Sequence, residues 1–347
     1  MQNATRNAFD AYSAQIAKLN GVGDASKKFA VDPSIEQTME TVVQESSAFL
    51  QNVNSYGVDQ QSGEKIGLSI STTIAGRTDT TLNDRVPTDP SDMNGLQYDC
   101  KQTNFDTALR YAKVDAWAKF PDFQTRMRNA VSQQIGRDRL MIGWNGTSAA
   151  VATDRGANPL LQDVNIGWLK KLQTNAAARY MTQGAVAAQI RVGPGGDYAN
   201  MDELVYDMRS NLLAPWFARD NGFVVCCTAD LLDEKYFPLV ATHGGTPTEV
   251  SALDQMLSAK KLGGLRPAEI PFFPERTLFI SMLGAGGDSN LSIYWQKGSR
   301  RRQIIDNPKR DRVEDFQSVN EAYEIEDYSA ACAAVNIKFP DGLGGWA

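Results

Sequence analysis

The sequence predicts an α+β protein organised around one long helix. Three patterns carry that expectation. From Phe120 to Asn145 apolar residues recur at Phe123, Met127, Ala130, Val131, Ile135, Met141 and Ile142, mostly at helical spacing. Either side of a long polar stretch the period drops to two, with Ile66, Leu68 and Ile70 alternating with Gly67 and Ser69, then Leu96, Tyr98 and Cys100 with Gln97 and Asp99. Between residues 195 and 300, helical and strand patterns alternate at short intervals and read as a mixed α/β unit of their own.

The long helix has a start signal in Pro121 and Asp122, since proline suits a first turn and an acidic side chain suits the positive end of the dipole. At 1.5 Å per residue it spans about 35 Å. Its polar face carries Arg126, Arg128, Gln133, Arg137 and Arg139, a basic, hydrogen-bonding face offered to something other than the core. Gly136 costs about 1 kcal/mol relative to Ala at such a position, so a bend or a close packing partner is expected there.

The chain before it reads as an arm. Phe9, Tyr12, Ile16 and Leu19 mark a short amphipathic helix within residues 1–20, stopped by Asn20 and Gly21 and followed by the polar link GVGDASKK, so the helix reads as a detachable piece. Asp32 and Pro33 cap and start a second helix through Ile35, Met39, Val42, Val43, Phe49 and Leu50. The first 55 residues together are expected to be weakly tied to the core.

Between the two alternating patterns, Arg77 to Asn94 is polar, with Pro87, Pro90 and the charges Arg77, Asp79, Asp84, Arg85, Asp89 and Asp92. A two-stranded ribbon is marginal alone and must lie on another surface; if this chain does not supply one, a neighbouring copy does. The return strand continues through Phe105, Thr107, Leu109 and Tyr111 into the long helix. Near the end, Arg312 to Ile325 and Ala331 to Phe339 are extended patterns expected to pair with each other around EIEDY and to pack on that helix, leaving the 195–300 unit as an insertion.

Composition narrows the function classes. With 42% hydrophobic and 22% charged residues the 347-residue chain reads as globular, and its net charge of −6 argues against wholesale nucleic-acid binding through a basic surface. No apolar run approaches the roughly 18 residues of a membrane helix, and no apolar signal core is present at the N-terminus. Cys100, Cys226, Cys227 and Cys332 lack metal-ligand spacing and read as buried reduced thiols. The one histidine, His243, lies in the loop THGGTPT without an evident orienting carboxylate, so no catalytic, cofactor-binding or metal site is expected. GPGGDY at 193–198 lacks the lysine and hydroxyl of a phosphate loop and reads as a glycine turn before a helix. The carboxylates Glu321, Glu324, Glu326 and Asp327 read as a solvated or subunit-facing edge, with a glycosidase-like pair as the alternative. Arg300, Arg301 and Arg302 read as a salt-bridging edge.

Several long runs then point to a family. QESSAFL (44–50), GEKIG (63–67), WAKFPDFQTRMRNA (117–130), NPLLQDVNIGWL (158–169), IRVGPGGDYANMDELV (190–205), DEKYFPLV (233–240) and NPKRDRVEDFQSVNEAYEIEDY (307–328) resemble the major capsid proteins of P2-like tailed bacteriophages. The resemblance implies the HK97-type capsid fold: an N-terminal arm (30–62), an extended E-loop hairpin (63–103), a peripheral domain (104–190 and 305–339) on a spine helix (120–145), an axial domain (195–300) and a tail (340–347). It also implies removal of an N-terminal leader (1–29), the cut falling by position near Phe29 and Ala30. The implied function is self-assembly into hexamers and pentamers of an icosahedral shell around phage DNA, in the virion after assembly in the host bacterial cytoplasm. The implied partners are a scaffolding protein, a maturation protease, a portal and double-stranded DNA held non-specifically, with no membrane and no cofactor. An encapsulin-like compartment and a carboxylate-dependent hydrolase are the alternative readings.

Overall fold

The computed structural model describes residues 1–65, 69–70, 75, 77–82, 84–86, 91–92, 96–117, 123–242, 260–284, 288–341 and 344–346. His243 and the helix expected near 249–261 lie almost wholly outside them, as do Phe120, Pro121 and Asp122.

The chain begins with α1 (Asn3–Leu19), the short strand β1 (Phe29–Ala30) and α2 (Pro33–Glu45), whose start is the expected one: the Asp32 side chain accepts from the Ser34 amide with Pro33 in the first turn. Then come β2 (Asn54–Val58), a ribbon built from β3 (Ser62–Glu64), β4 (Ser69–Ile70), β5 (Ser91–Asp92) and β6 (Gln97–Asp99), and the strands β7 (Lys101–Asn104) and β8 (Thr107–Arg110). Helices α3 (Tyr111–Trp117), α4 (Phe123–Asn145) and α5 (Trp168–Asn175) follow, with β9 (Tyr180–Met181) and β10 (Ile190–Arg191). The second half runs through α6 (Met201–Asp207), β11 (Phe223–Cys227), α7 (Ala229–Thr242), β12 (Arg266–Glu269), β13 (Leu278–Met282), β14 (Leu291–Gln296), β15 (Arg301–Asn307), β16 (Arg312–Ile325), β17 (Ala331–Ala334) and β18 (Ile337–Lys338).

Two sheets carry the fold. The larger has the order β1-β15-β16-β14-β2, with β7 and β8 also pairing along β16. The 14-residue β16 is its axis, bonding β14 and β15 as well as both strands that follow the ribbon. The smaller has the order β12-β11-β13-β17-β9. This corrects one expectation: the C-terminal strands do not pair with each other. Buried carboxylates and aromatics near Glu321–Ile325 suit the centre of the large sheet, whereas the small ACAA strand fits beside Leu278–Ser281 in the other. The turn at Asp327 therefore carries the chain from one sheet to the other.

The core follows the same division. One cluster, with Leu204, Val205, Val225, Leu231, Ile280 and Cys332, fills the α/β unit. A second, with Leu140, Ile142, Trp144, Trp168, Phe279 and Tyr323, lies where the last turns of α4 meet α5 and both sheets. Trp144 stacks edge-on against Trp168, Phe273 and Phe279 at centroid distances of 4.7 to 5.3 Å. Glycines let α4 sit this close. A Cβ on Gly143 would fall 2.4 Å from the Trp168 ring, and one on Gly136 would fall 2.4 Å from Ser46 Oγ at the end of α2. Gly136 thus serves close packing, one of its two expected roles. All four cysteines are free and buried.

Candidate functional site

The return strand of the ribbon falls on the expected alternation at Gln97–Asp99, while Ile66, Gly67 and Leu68 of the outgoing one lie outside the described residues. Ser62, Gly63 and Glu64 pair with Asp99, Tyr98 and Gln97, and further out Ser69 and Ile70 pair with Asp92 and Ser91. Of the charged tip residues, Arg77, Asp79, Asp84 and Arg85 have exposed side chains, and Asp79 caps a turn by accepting from the Thr81 amide at 3.0 Å. Asp92 lies in β5, and Asp89 lies outside the described residues. Sequence reasoning treated this tip as uniformly polar and missed Leu82 and Val86, which are 79% and 83% exposed. Both are solvated in the single subunit and free to meet another surface.

At the ribbon's root Lys65 enters the body of the protein. Its Nζ lies 3.7 Å from Glu324 and 3.9 Å from Glu326, donates to the Ile325 carbonyl and stands over the Tyr328 ring. Lys171 of α5 reaches the same Glu324 at 2.6 Å. Burial lowers the Lys65 pKa against the pull of Glu326 and Glu324, and burial raises that of Glu324 against the pull of Lys171. The expected solvated edge of carboxylates is thus corrected in part: Glu321 and Glu324 are buried, because β16 lies mid-sheet beneath helices and their charge is met by cations.

The spine helix divides into two halves. Arg126, Arg128 and Arg137 have exposed side chains. Arg139, expected on the same polar face, is instead 2% exposed and is the centre of a buried ionic hub. Its guanidinium donates to Glu40 of α2 at 2.8 and 3.0 Å and to Glu321 of β16 at 2.5 and 3.1 Å. Arg300 donates to the same Glu40. Helical geometry explains the correction: Arg139 lies one position from Leu140 and three from Ile142, on the buried side of the last turns of α4, whereas Arg137 two positions earlier points to the exposed side. Burial alone would raise the Glu40 carboxyl, but Arg139 and Arg300 hold it below its ordinary value. Glu36, one turn earlier, is also buried and accepts from the Gly298 amide at 3.0 Å; burial raises it. Nothing in the sequence marked Glu36 or Glu40, since two glutamates at i and i+4 in a polar helix look solvated. The first half of α4 is barely supported by contrast, flanked by hollows of about 520 and 410 Å3 that share Met127, Val131 and Ile135 as lining.

Phe29 and Ala30 form β1, an edge strand antiparallel to Arg302 and Arg301. Phe29 is buried with Ile16, Ala17, Ala25, Val31 and Ile304, so the leader is docked on the body. The arginine triplet is largely the ion-pairing edge expected: Arg300 pairs with Glu40, Arg302 with Asp315 at 2.6 Å, and Arg301 is exposed.

An arm, a two-stranded ribbon rooted by buried charge, a spine helix and two sheets packed around a common core define an HK97-type capsid subunit, a protein whose functional site is its surface. The sequence profile described as phage major capsid protein, P2 family, matches residues 8–337. The capsid protein of Escherichia phage P2 is 43% identical over 98% of this chain and 96% of its own length, and the major capsid protein of Serratia phage KSP20 is 37% identical over 99% and 97%. A chain in the procapsid of satellite phage P4 superposes with a TM-score of 0.80 at 40% identity, covering 98% of this chain and 99% of that one. A capsid chain of an empty GTA particle shares the fold, at TM-score 0.53 and 13% identity over 83% and 89% of the two chains. The chain belongs to the P2 family of phage major capsid proteins.

Proposed function

We propose that this protein builds its shell by laying each ribbon across a neighbouring copy, in hexamers and pentamers whose shared interfaces tolerate small changes of angle. The observation that carries the reading is the match, along almost the whole chain, to a procapsid subunit. Around it the parts have compatible roles. The ribbon tip offers Leu82 and Val86 between Asp79, Asp84 and Arg85, apolar anchors with charges to set register. The exposed first half of α4, with Arg126, Arg128 and hollows on both sides, is a surface such a tip suits. Obligate interfaces of this kind bury roughly 2,000 Å2 or more.

In this reading the leader is removed by a maturation protease near Phe29–Ala30, a separate scaffolding protein guides closure, one vertex takes a portal, and double-stranded DNA is packed without sequence reading against a net acidic subunit. Assembly takes place in the bacterial cytoplasm. The decisive experiment is deletion of residues 77–94. A soluble, folded subunit that no longer forms closed particles in negative-stain electron microscopy, with or without scaffold, is the expected result; normal particles from that deletion refute the ribbon's role.

A further inference from the structure

The backbone on both sides of Phe29–Ala30 is hydrogen-bonded along a sheet edge, with the Phe29 side chain buried and the Ala30 side chain exposed. Phe29 and Ala30 pair with Arg302 and Arg301, and the next amide, Val31, donates to the Arg300 carbonyl at 2.9 Å. On the leader side, the Ala25 carbonyl accepts from the Ile304 amide at 3.0 Å and the Ser26 carbonyl from the Gln303 side chain at 2.9 Å. Phe29 is 8%, Ala25 1% and Val31 3% exposed. Helix α1 closes over this strand with Ile16 and Ala17, each 6% exposed, and is held by Arg302 donating to the Tyr12 hydroxyl at 3.1 Å, by the Arg6–Asp306 pair at 3.2 Å, and by the Gln2 amide donating to Asp115 at 2.9 Å. Helix, turn and strand together occupy the outer edge of β15.

We infer that the leader is an intramolecular ligand of the β15 edge and a lock on its own cleavage bond: Phe29–Ala30 becomes a substrate only when α1 and β1 have left that edge together. The inference rests on the proposed maturation cut. That cut is hydrolysis by an endoprotease, in which water adds across the amide to leave a carboxylate on Phe29 and an amine on Ala30. A backbone committed to a sheet edge, with its side chain in an apolar cluster, cannot enter a protease cleft, so the rate follows the fraction of molecules in which the segment is open. The two ends of the lock differ. Leader contacts are mostly apolar or exposed polar ones, whereas Arg300, beside Val31, is fixed in the buried hub through Glu40. Opening can therefore stop at residue 31 and leave the arm seated. Contact of α1 with another protein during assembly would then time the cut.

The test uses the intact chain and a protease unrelated to any phage. Chymotrypsin cleaves after phenylalanine, and the species lacking residues 1–29 is followed by intact mass against a synthetic peptide of residues 22–36. The full chain should yield that species at least a hundredfold more slowly than the peptide is cut. Ile16→Ala and Tyr12→Phe should each accelerate it, the first by tenfold or more, while Val225→Ala, in the separate core, should not. Ile16→Ala is checked for an unchanged main unfolding transition, and Tyr12→Phe, which removes one hydroxyl, stands if that variant misfolds. Cutting of the full chain at the peptide's rate, or equal acceleration by Val225→Ala, overturns the lock. The maturation reading fails separately, if protein from mature particles retains residues 1–29.

Discussion

Helices α1 and α2 are neighbours in the chain, similar in length and amphipathic, yet they are held to the body by opposite means. Helix α1 lies on an apolar seam with Ile16, Phe29 and Ile304, and among the described residues its one side-chain ion pair, Arg6–Asp306, joins side chains 48% and 22% exposed. Helix α2 sends Glu40 into a hub where every charged partner is at most 2% exposed. An apolar seam can open and reclose by degrees as solvent enters. A buried carboxylate cannot leave its arginines singly without stranding charge on both sides, so its attachment is close to all-or-none. The difference is compatible with the proposed removal of the leader and retention of the arm.

The largest test breaks the hub. Arg139→Met leaves Glu40 and Glu321 with less compensation in a dry site, and an expected loss of about 3–5 kcal/mol in urea unfolding follows from removing one partner of a buried pair. If the loss stays below about 1 kcal/mol, the hub does not hold the arm. Replacing Arg139, Arg300, Glu40 and Glu321 together by apolar residues of similar volume should recover much of that loss, because the cost lies in unpaired charge rather than missing attraction.

The next test addresses the seam. Ile16→Ala should cost about 2 kcal/mol, near the low end for a truncated core aliphatic because the site lies at a surface and can collapse. Its effect should be local. Hydrogen exchange of the Ile304 amide, bonded to Ala25, should quicken, while amides of β16 next to β14 remain at wild-type rates. Matching acceleration in both places would mean that leader and body unfold together and that the contrast between the helices is false.

Much of the fold was legible because period-two and helical spacing are local signals. The return leg of the ribbon, the Asp32 cap and the apolar stripe of α4 follow from residues within a few positions of one another. What the sequence hid was set by long-range partners. Arg139 reads like Arg126 until Glu40 and Glu321, 99 and 182 residues away, are placed beside it. The same holds for Glu321–Asp327, whose alternation resembles an edge strand until strands on both sides of β16 are counted, and for β17, whose four small residues carry no mark of which sheet they join. At the ribbon tip the miss was of another kind: Leu82 and Val86 were visible, but isolated aliphatics in a polar run are common enough to pass unnoticed until their exposure is known.

The smallest expected effect distinguishes two glutamates on one face of α2. Burial raises the Glu36 carboxyl above its usual 4.5, while the arginines hold Glu40 below it. The signs of their contributions to stability are therefore opposite. For Glu40 the contribution is present above the unfolded pKa and is lost as pH falls through the folded value, so acid should loosen the arm. For Glu36 the folded state binds the proton more tightly than the unfolded chain does; its contribution is complete below the unfolded pKa and is lost as pH rises through the folded one. At neutral pH Glu36 thus opposes folding. Its Oε1 has no hydrogen-bond partner, and only Oε2 is used, by the Gly298 amide. Glu36→Gln keeps that acceptor and removes the titration, so it should raise stability at pH 7 by about 1 kcal/mol, the scale of a buried polar group relieved of its desolvation cost. The gain should shrink to nothing below about pH 4, where the wild-type side chain is already neutral in both states. A gain independent of pH would assign the effect to packing, and a loss at pH 7 would make the Glu36 charge a working member of the hub beside Arg300.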